Sequence, residues 1–218
     1  MPLDSIAEIL ASCSERNLAF WQVVLEADVE ERQVSAEASF EKMRATWRAM
    51  LDSAESYDGG LRSVSGLSGG DGELMLRYAA GGAALGGGYI SEVIATALCV
   101  GESNACMRKI VAAPTAGACG VLPAVLVPLY RRGEREEDIL RALYTAAGIG
   151  AVINSRASIS GAAGGCQAEI GSASAMAAGA LAQLRGGGPE QTANALAMAL
   201  KNLMGLICDP VAGLVEVP

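Results

Sequence analysis

Ser160-Gly-Ala-Ala-Gly-Gly-Cys-Gln-Ala-Glu-Ile170 runs from a glycine-rich loop into small residues that read as a helix from Gln167 to Arg185. Ala and Gly dominate this stretch and the whole chain, and only 4% of residues are aromatic. That composition suits closely packed helices with small side chains at their contacts, not a sandwich of bulky strands. Three glycines let the loop backbone approach a ligand without a Cβ in the way. Cys166 stands where the helix begins, against free backbone N–H groups and the positive end of the macrodipole. Both favour thiolate over thiol, and a thiolate binds soft metals. A tight glycine turn beside a buried core cysteine accounts for the same letters, and the stretch alone leaves both readings open.

On the C-terminal side, Gly186-Gly-Gly-Pro189 reads as a hinge and Glu190–Ile207 as a last helix, closed by Cys208 and stopped at Asp209-Pro210. On the N-terminal side, Arg131–Asp138 is a charged surface turn and Ile139–Ser155 a helix. Ala112-Ala-Pro-Thr-Ala-Gly-Ala-Cys-Gly120 leads into an apolar helix. Thr115 sits before that helix, where its hydroxyl can cap the N-terminus or share it with a docked carboxylate. The uncharged run Ile110–Tyr130 is long enough to cross a bilayer. Its Pro114, Pro123 and Pro128, with Thr115, Gly117 and Gly120, favour a buried loop and helix instead.

Earlier in the chain, Glu73–Leu85 and Tyr89–Val100 read as helices separated by Gly86-Gly-Gly88. Glu102-Ser-Asn-Ala-Cys106 reads as a turn, in which Asn104 holds the backbone or meets a substrate. Ser65–Gly72 is a glycine-rich loop without the Lys or the preceding strand of a phosphate loop, and Asp71 is placed to cap the next helix. Residues 3–26 read as one amphipathic helix, with Leu3, Ile6, Ile9, Leu10, Cys13, Leu18, Trp21, Val24 and Leu25 at helical spacing. Residues 34–54 read as a second, with Phe40, Met43, Trp47 and Met50 on one stripe. These two are expected to form an N-terminal hairpin over 1–56, beside a helical domain over 57–218. The fold expected is an all-α bundle whose glycine-rich interhelix loops build a pocket, with no strand and no repeat.

A net charge of −8 argues against nucleic-acid binding. Asp4, Glu8, Ser12 and Glu15 interrupt the first apolar positions, so no secretory leader is expected and a cytoplasmic location is. The six cysteines (13, 99, 106, 119, 166 and 208) are then expected to be reduced, and none has zinc spacing. There is no histidine, which removes the commonest metal ligand and the commonest general base.

Four stretches in order carry a resemblance: Ser65-Gly-Leu-Ser-Gly-Gly-Asp71, Ala113-Pro-Thr-Ala-Gly117, Ile159–Glu169 and Cys208-Asp-Pro-Val-Ala-Gly-Leu-Val-Glu-Val-Pro218. From about Ser63 to the last residue the chain resembles the α subunit of bacterial iron-sulfur-dependent L-serine dehydratases. The resemblance implies a [4Fe-4S] cluster on Cys166, Cys208 and a third cysteine, which in the family directly follows the position of Pro218. The chain is therefore expected to lack the family's C-terminal part and to be inactive alone. The resemblance also implies a β subunit as partner and L-serine as substrate. It places Thr115, Asn104 and Ser160 at that substrate, Thr115 as a catalytic group, and leaves Cys119, Cys99 and Cys106 as bystanders.

Three thiolates leave one iron open as a Lewis acid. β-Elimination of serine must remove a weakly acidic α-proton and expel hydroxide, and bonding the hydroxyl and carboxylate to iron helps both. A hydroxyl such as that of Thr115 has far too high a pKa to be the base unaided. The chain's lysines lack the setting of a pyridoxal-phosphate site. A non-catalytic helical fragment or assembly subunit without a cluster is the alternative.

Overall fold

The computed structural model describes residues 4–82 and 84–204. Nine helices are described: α1 (Ile6–Arg16), α2 (Phe20–Arg32), α3 (Ala36–Glu55), α4 (Asp71–Ala80), α5 (Gly87–Ala105), α6 (Val121–Arg131), α7 (Glu136–Arg156), α8 (Gly161–Leu184) and α9 (Pro189–Asn202). A single 3-10 turn, Ala116–Ala118, precedes α6, and there is no strand among the described residues. The all-α expectation holds, and so does the loop-and-helix reading of 110–130, since no described helix is long and apolar enough to cross a membrane.

The N-terminal segment differs from the expected pair of helices. Asn17 takes a left-handed conformation (φ 52°) and its N–H bonds back to Cys13 O, which ends α1 a turn before the apolar stripe does. A new helix then starts at Phe20, where Gln22 Oε1 accepts from Ala19 N at 2.8 Å. The stripe continued across this break because both helices bury the same side. Ile9, Cys13, Phe20, Val23, Val24, Trp47 and Met50 all lie in the core cluster formed with α6, α7 and α8.

α7 is the centre of the packing. Ile139, Leu140, Ala142, Leu143, Tyr144, Thr145, Ala146 and Ile149 on it are all buried. The Tyr144 hydroxyl meets Ser39 Oγ at 2.5 Å, and Ser39 donates to Asp28 Oδ2 at 2.5 Å, so one polar chain ties α2, α3 and α7 together. Small residues set the helix spacing as their abundance suggested. A Cβ on Gly148 would run into Val24, and one on Gly179 into Ile149. α8 lies between α7 and α9. Gly179 faces Thr192 and Gly171 faces Leu200, so α9 runs back antiparallel along α8.

Candidate functional site

α8 is interrupted at Gly165, whose φ of 73° and ψ of 179° belong to a region open essentially to glycine alone. Gly161–Gly164 form a first turn, and the uninterrupted helix begins at Cys166. The sequence placed Cys166 at a helix start, and the break at Gly165 puts it there. Its side chain is buried, with 9% exposure. Ser160 is the residue before α8, exposed, and its side chain makes no capping bond.

The antiparallel return of α9 brings the end of the described chain to the Cys166 end of α8. Leu200 lies beside Gly171, and Met204 is four residues short of Cys208. Cys208 itself, and the segment 209–218 that carries the last motif, lie outside the described residues. Among the described residues no three of Cys, Asp and Glu come together to hold a metal ion.

Thr115 precedes the 3-10 turn in an extended conformation, after a cis Ala113–Pro114 bond. The capping expected of it is absent. Its Oγ1 is buried and has no hydrogen-bond partner among the described residues. A buried hydroxyl left this way costs about 1–3 kcal/mol, so it is a group that a bound ligand can satisfy. Asn104 is not in a turn, as the sequence suggested, but in the last turn of α5. Its Nδ2 donates to Ala116 O at 3.1 Å, which fixes the residue after Thr115.

Glu169 joins these parts and had no role in the sequence reading. Three residues after Cys166 it lies on the same side of α8. A Cβ built on Gly117 would sit 2.6 Å from Glu169 Oε2, and one on Gly161 2.8 Å from the same oxygen. The carboxylate therefore lies between the threonine turn and the cysteine loop, against a glycine on each side. The available signal was its spacing from Cys166.

Glu102 was likewise assigned only to a turn. It is 6% exposed, and its carboxylate accepts from Gly70 N (3.0 Å), Asp71 N (2.7 Å) and Gly72 N (3.2 and 3.3 Å). The Tyr57 hydroxyl donates to the same group at 2.5 Å. Burial, and then this bond, hold the Tyr57 phenol well above its ordinary pKa. α4 is thus capped from α5, not by Asp71, which is its first residue. Through this cap the last turn of α5 holds the Ser65–Gly72 loop on one side while Asn104 holds the threonine turn on the other.

Cys119 closes the threonine turn and Cys106 the last turn of α5, while Cys99 lies a turn earlier on α5. Cys119 is 1% exposed with Sγ 4.0 Å from Val100 O, and burial pushes its thiol up to about 11. Cys99 is pushed up to about 11 by burial and by the nearby Glu102. An apolar groove runs between α3 and α7 and ends at Pro114 and Ile159, the neighbours of Thr115 and Ser160. Its lining of Met43, Met50, Val111, Leu122, Leu143 and Met176 does not suit a small zwitterion.

A family model described as serine dehydratase alpha chain matches residues 15–218. The probable L-serine dehydratase alpha chain of Bacillus subtilis is 40% identical over 215 residues, spanning 98% of this chain and 72% of that protein. The L-serine dehydratase alpha chain of Peptoniphilus asaccharolyticus is 37% identical over 222 residues, 99% of this chain and 75% of that one. An L-serine dehydratase of Streptomyces coelicolor is 48% identical over 124 residues, which cover 56% of this chain and 27% of that protein. With a match of this extent, the chain belongs to the serine dehydratase alpha chain family.

Proposed function

We propose that this chain is the α chain of an enzyme that dehydrates L-serine to pyruvate and ammonia, with a [4Fe-4S] cluster and a β subunit. Family membership supports the serine dehydratase activity, and the designation "alpha chain" of its relatives supports a second chain. The carrying observation is the meeting of the threonine turn, the last turn of α5 and the cysteine loop around Glu169.

The residues present fit a cluster. Cys166 is buried just after the break at Gly165, and α9 returns the chain toward it before Cys208. Cys166 and Cys208 are two ligands, and a third cysteine of the family pattern follows Pro218's position. The cluster, when bound, supplies a Lewis-acidic iron for the hydroxyl and carboxylate of serine.

The chain's own groups hold the substrate. The Thr115 hydroxyl, lacking a partner among the described residues, meets the substrate carboxylate, and Asn104 keeps the Thr115 turn in place. Ser160, exposed at the start of the cysteine loop, is assigned to the substrate's polar end. The chain has no histidine, so the α-proton goes to another kind of base, supplied or activated by the β subunit or by the part of the α chain that follows the position of Pro218 in the family. As the base takes the α-proton the Cα–Cβ double bond forms and the Cβ–O bond breaks, and the hydroxide leaves as water on taking up a proton. The aminoacrylate formed then tautomerises and is hydrolysed to pyruvate and ammonia.

The test is anaerobic assembly of the chain, extended through the third cysteine, with its β subunit, iron and sulfide. Pyruvate from L-serine and a visible iron-sulfur absorbance are expected. Cys166→Ser and Cys208→Ser each abolish the absorbance, while Cys119→Ala, Cys99→Ala and Cys106→Ala keep it. Absorbance that survives Cys208→Ser but not Cys119→Ala would falsify the ligand assignment.

A further inference from the structure

From the position of Glu169 we infer that its carboxylate binds the α-ammonium of the substrate and so selects an amino acid over a plain hydroxy acid. The inference rests on the serine dehydratase reading. The half-buried Glu169 carboxylate makes no hydrogen bond or ion pair among the described residues. A carboxylate without a cation among the described residues leaves its charge open to a cationic group. It lies against both Gly117 and Gly161, where a built Cβ would come within 3 Å of its Oε2.

The neighbouring groups have other chemistry. Thr115 Oγ1 is a buried hydroxyl without a partner among the described residues, suited to a carboxylate oxygen. Asn104 Nδ2 is occupied by Ala116 O. The Glu102 carboxylate is taken up by three backbone N–H groups and Tyr57. Serine has three polar groups, and the hydroxyl and carboxylate are already assigned. The ammonium remains, and Glu169 is the anionic group at the convergence of the loops. Glu169 is here a binding residue and takes no proton in the reaction.

The experiment compares L-serine with 3-hydroxypropionate, which keeps the carboxylate and hydroxyl and lacks the ammonium, on the assembled, cluster-loaded enzyme. For Glu169→Gln, the KM for L-serine is expected to rise about 10- to 100-fold, the loss of one charge-assisted hydrogen bond. The cluster absorbance, kcat and the inhibition constant of 3-hydroxypropionate are expected to stay within about twofold, a margin that corresponds to less than half a kcal/mol. Glu169→Asp keeps the charge and should recover part of the serine affinity. It also carries the comparison if the Gln variant fails to assemble. A parallel weakening of 3-hydroxypropionate, or a loss in kcat at constant KM, overturns the inference. A parent enzyme that makes no pyruvate overturns the serine dehydratase reading instead.

Discussion

Replacing Glu102 by Ala removes one buried carboxylate and strands four donors. Three are consecutive N–H groups at the start of α4, and the fourth is the Tyr57 hydroxyl. Water can reach Asp71, which is exposed, but Gly72 is buried. Loss of a helix cap costs about 0.5–2 kcal/mol and a buried donor left without a partner about 1–3, so roughly 2–4 kcal/mol of local stability is at stake. Gly72 is the one buried residue of α4, so little apolar packing opposes its opening. The loss should therefore fall on α4 and the 63–70 loop before it reaches the core around α7. Hydrogen exchange of the α4 amides is the direct assay, with urea unfolding for the global effect. Protection of residues 74–80 should drop by about 30- to 1,000-fold, the factor equivalent to that energy, while the urea midpoint moves less. Glu102→Gln turns one acceptor oxygen into a donor facing donors, and should lie between Ala and the parent. Unchanged α4 protection in Glu102→Ala would refute the capping role.

Two further predictions concern other sites. Gly117→Ala puts a Cβ 2.6 Å from the Glu169 carboxylate. Displacement by part of an ångström should raise the KM for L-serine about tenfold in the assembled enzyme while the urea midpoint hardly moves. An unchanged KM counts against the placement of Glu169. Cys99 and Cys119 hold their protons up to about pH 11 in the folded chain, against an ordinary 9.0. The unfolded chain loses those protons first, so their contribution to stability is whole below pH 9 and is lost as pH rises toward 11. Urea midpoints from pH 8 to 11 should show this decline, and Cys119→Ala should make it shallower. An identical slope in the variant contradicts the burial assigned to that thiol.

Helix type and the start of a helix at Cys166 were legible in the sequence because they depend on neighbours along the chain, whereas the helical turn over 161–164 and the break at Gly165 stand where a loop was expected. Apolar spacing, Ala and Gly content, and a glycine pair before Cys166 are local signals. Asn17 was missed since a left-handed Asn cap interrupts a helix without interrupting its apolar stripe. The capping of α4 was misassigned to Asp71 for a related reason. The acceptor that wins is 31 residues away, on α5, and no local pattern reports it.

The candidate site divides in the same way. The sequence by itself determined which chemistries the chain can offer: cysteines without histidine, a hydroxyl before a glycine turn, and motifs of one family. The tertiary structure alone decided which of these groups meet. It set Glu169 between Gly117 and Gly161, left Thr115 Oγ1 without a partner among the described residues, and tied Asn104 to Ala116. The physical reason is that α8 packs against α9 and against the threonine turn, to which the end of α5 is bonded. A Cβ of room at one glycine fixes where a distant carboxylate can lie, and volume of that kind is not encoded in the spacing of any one segment.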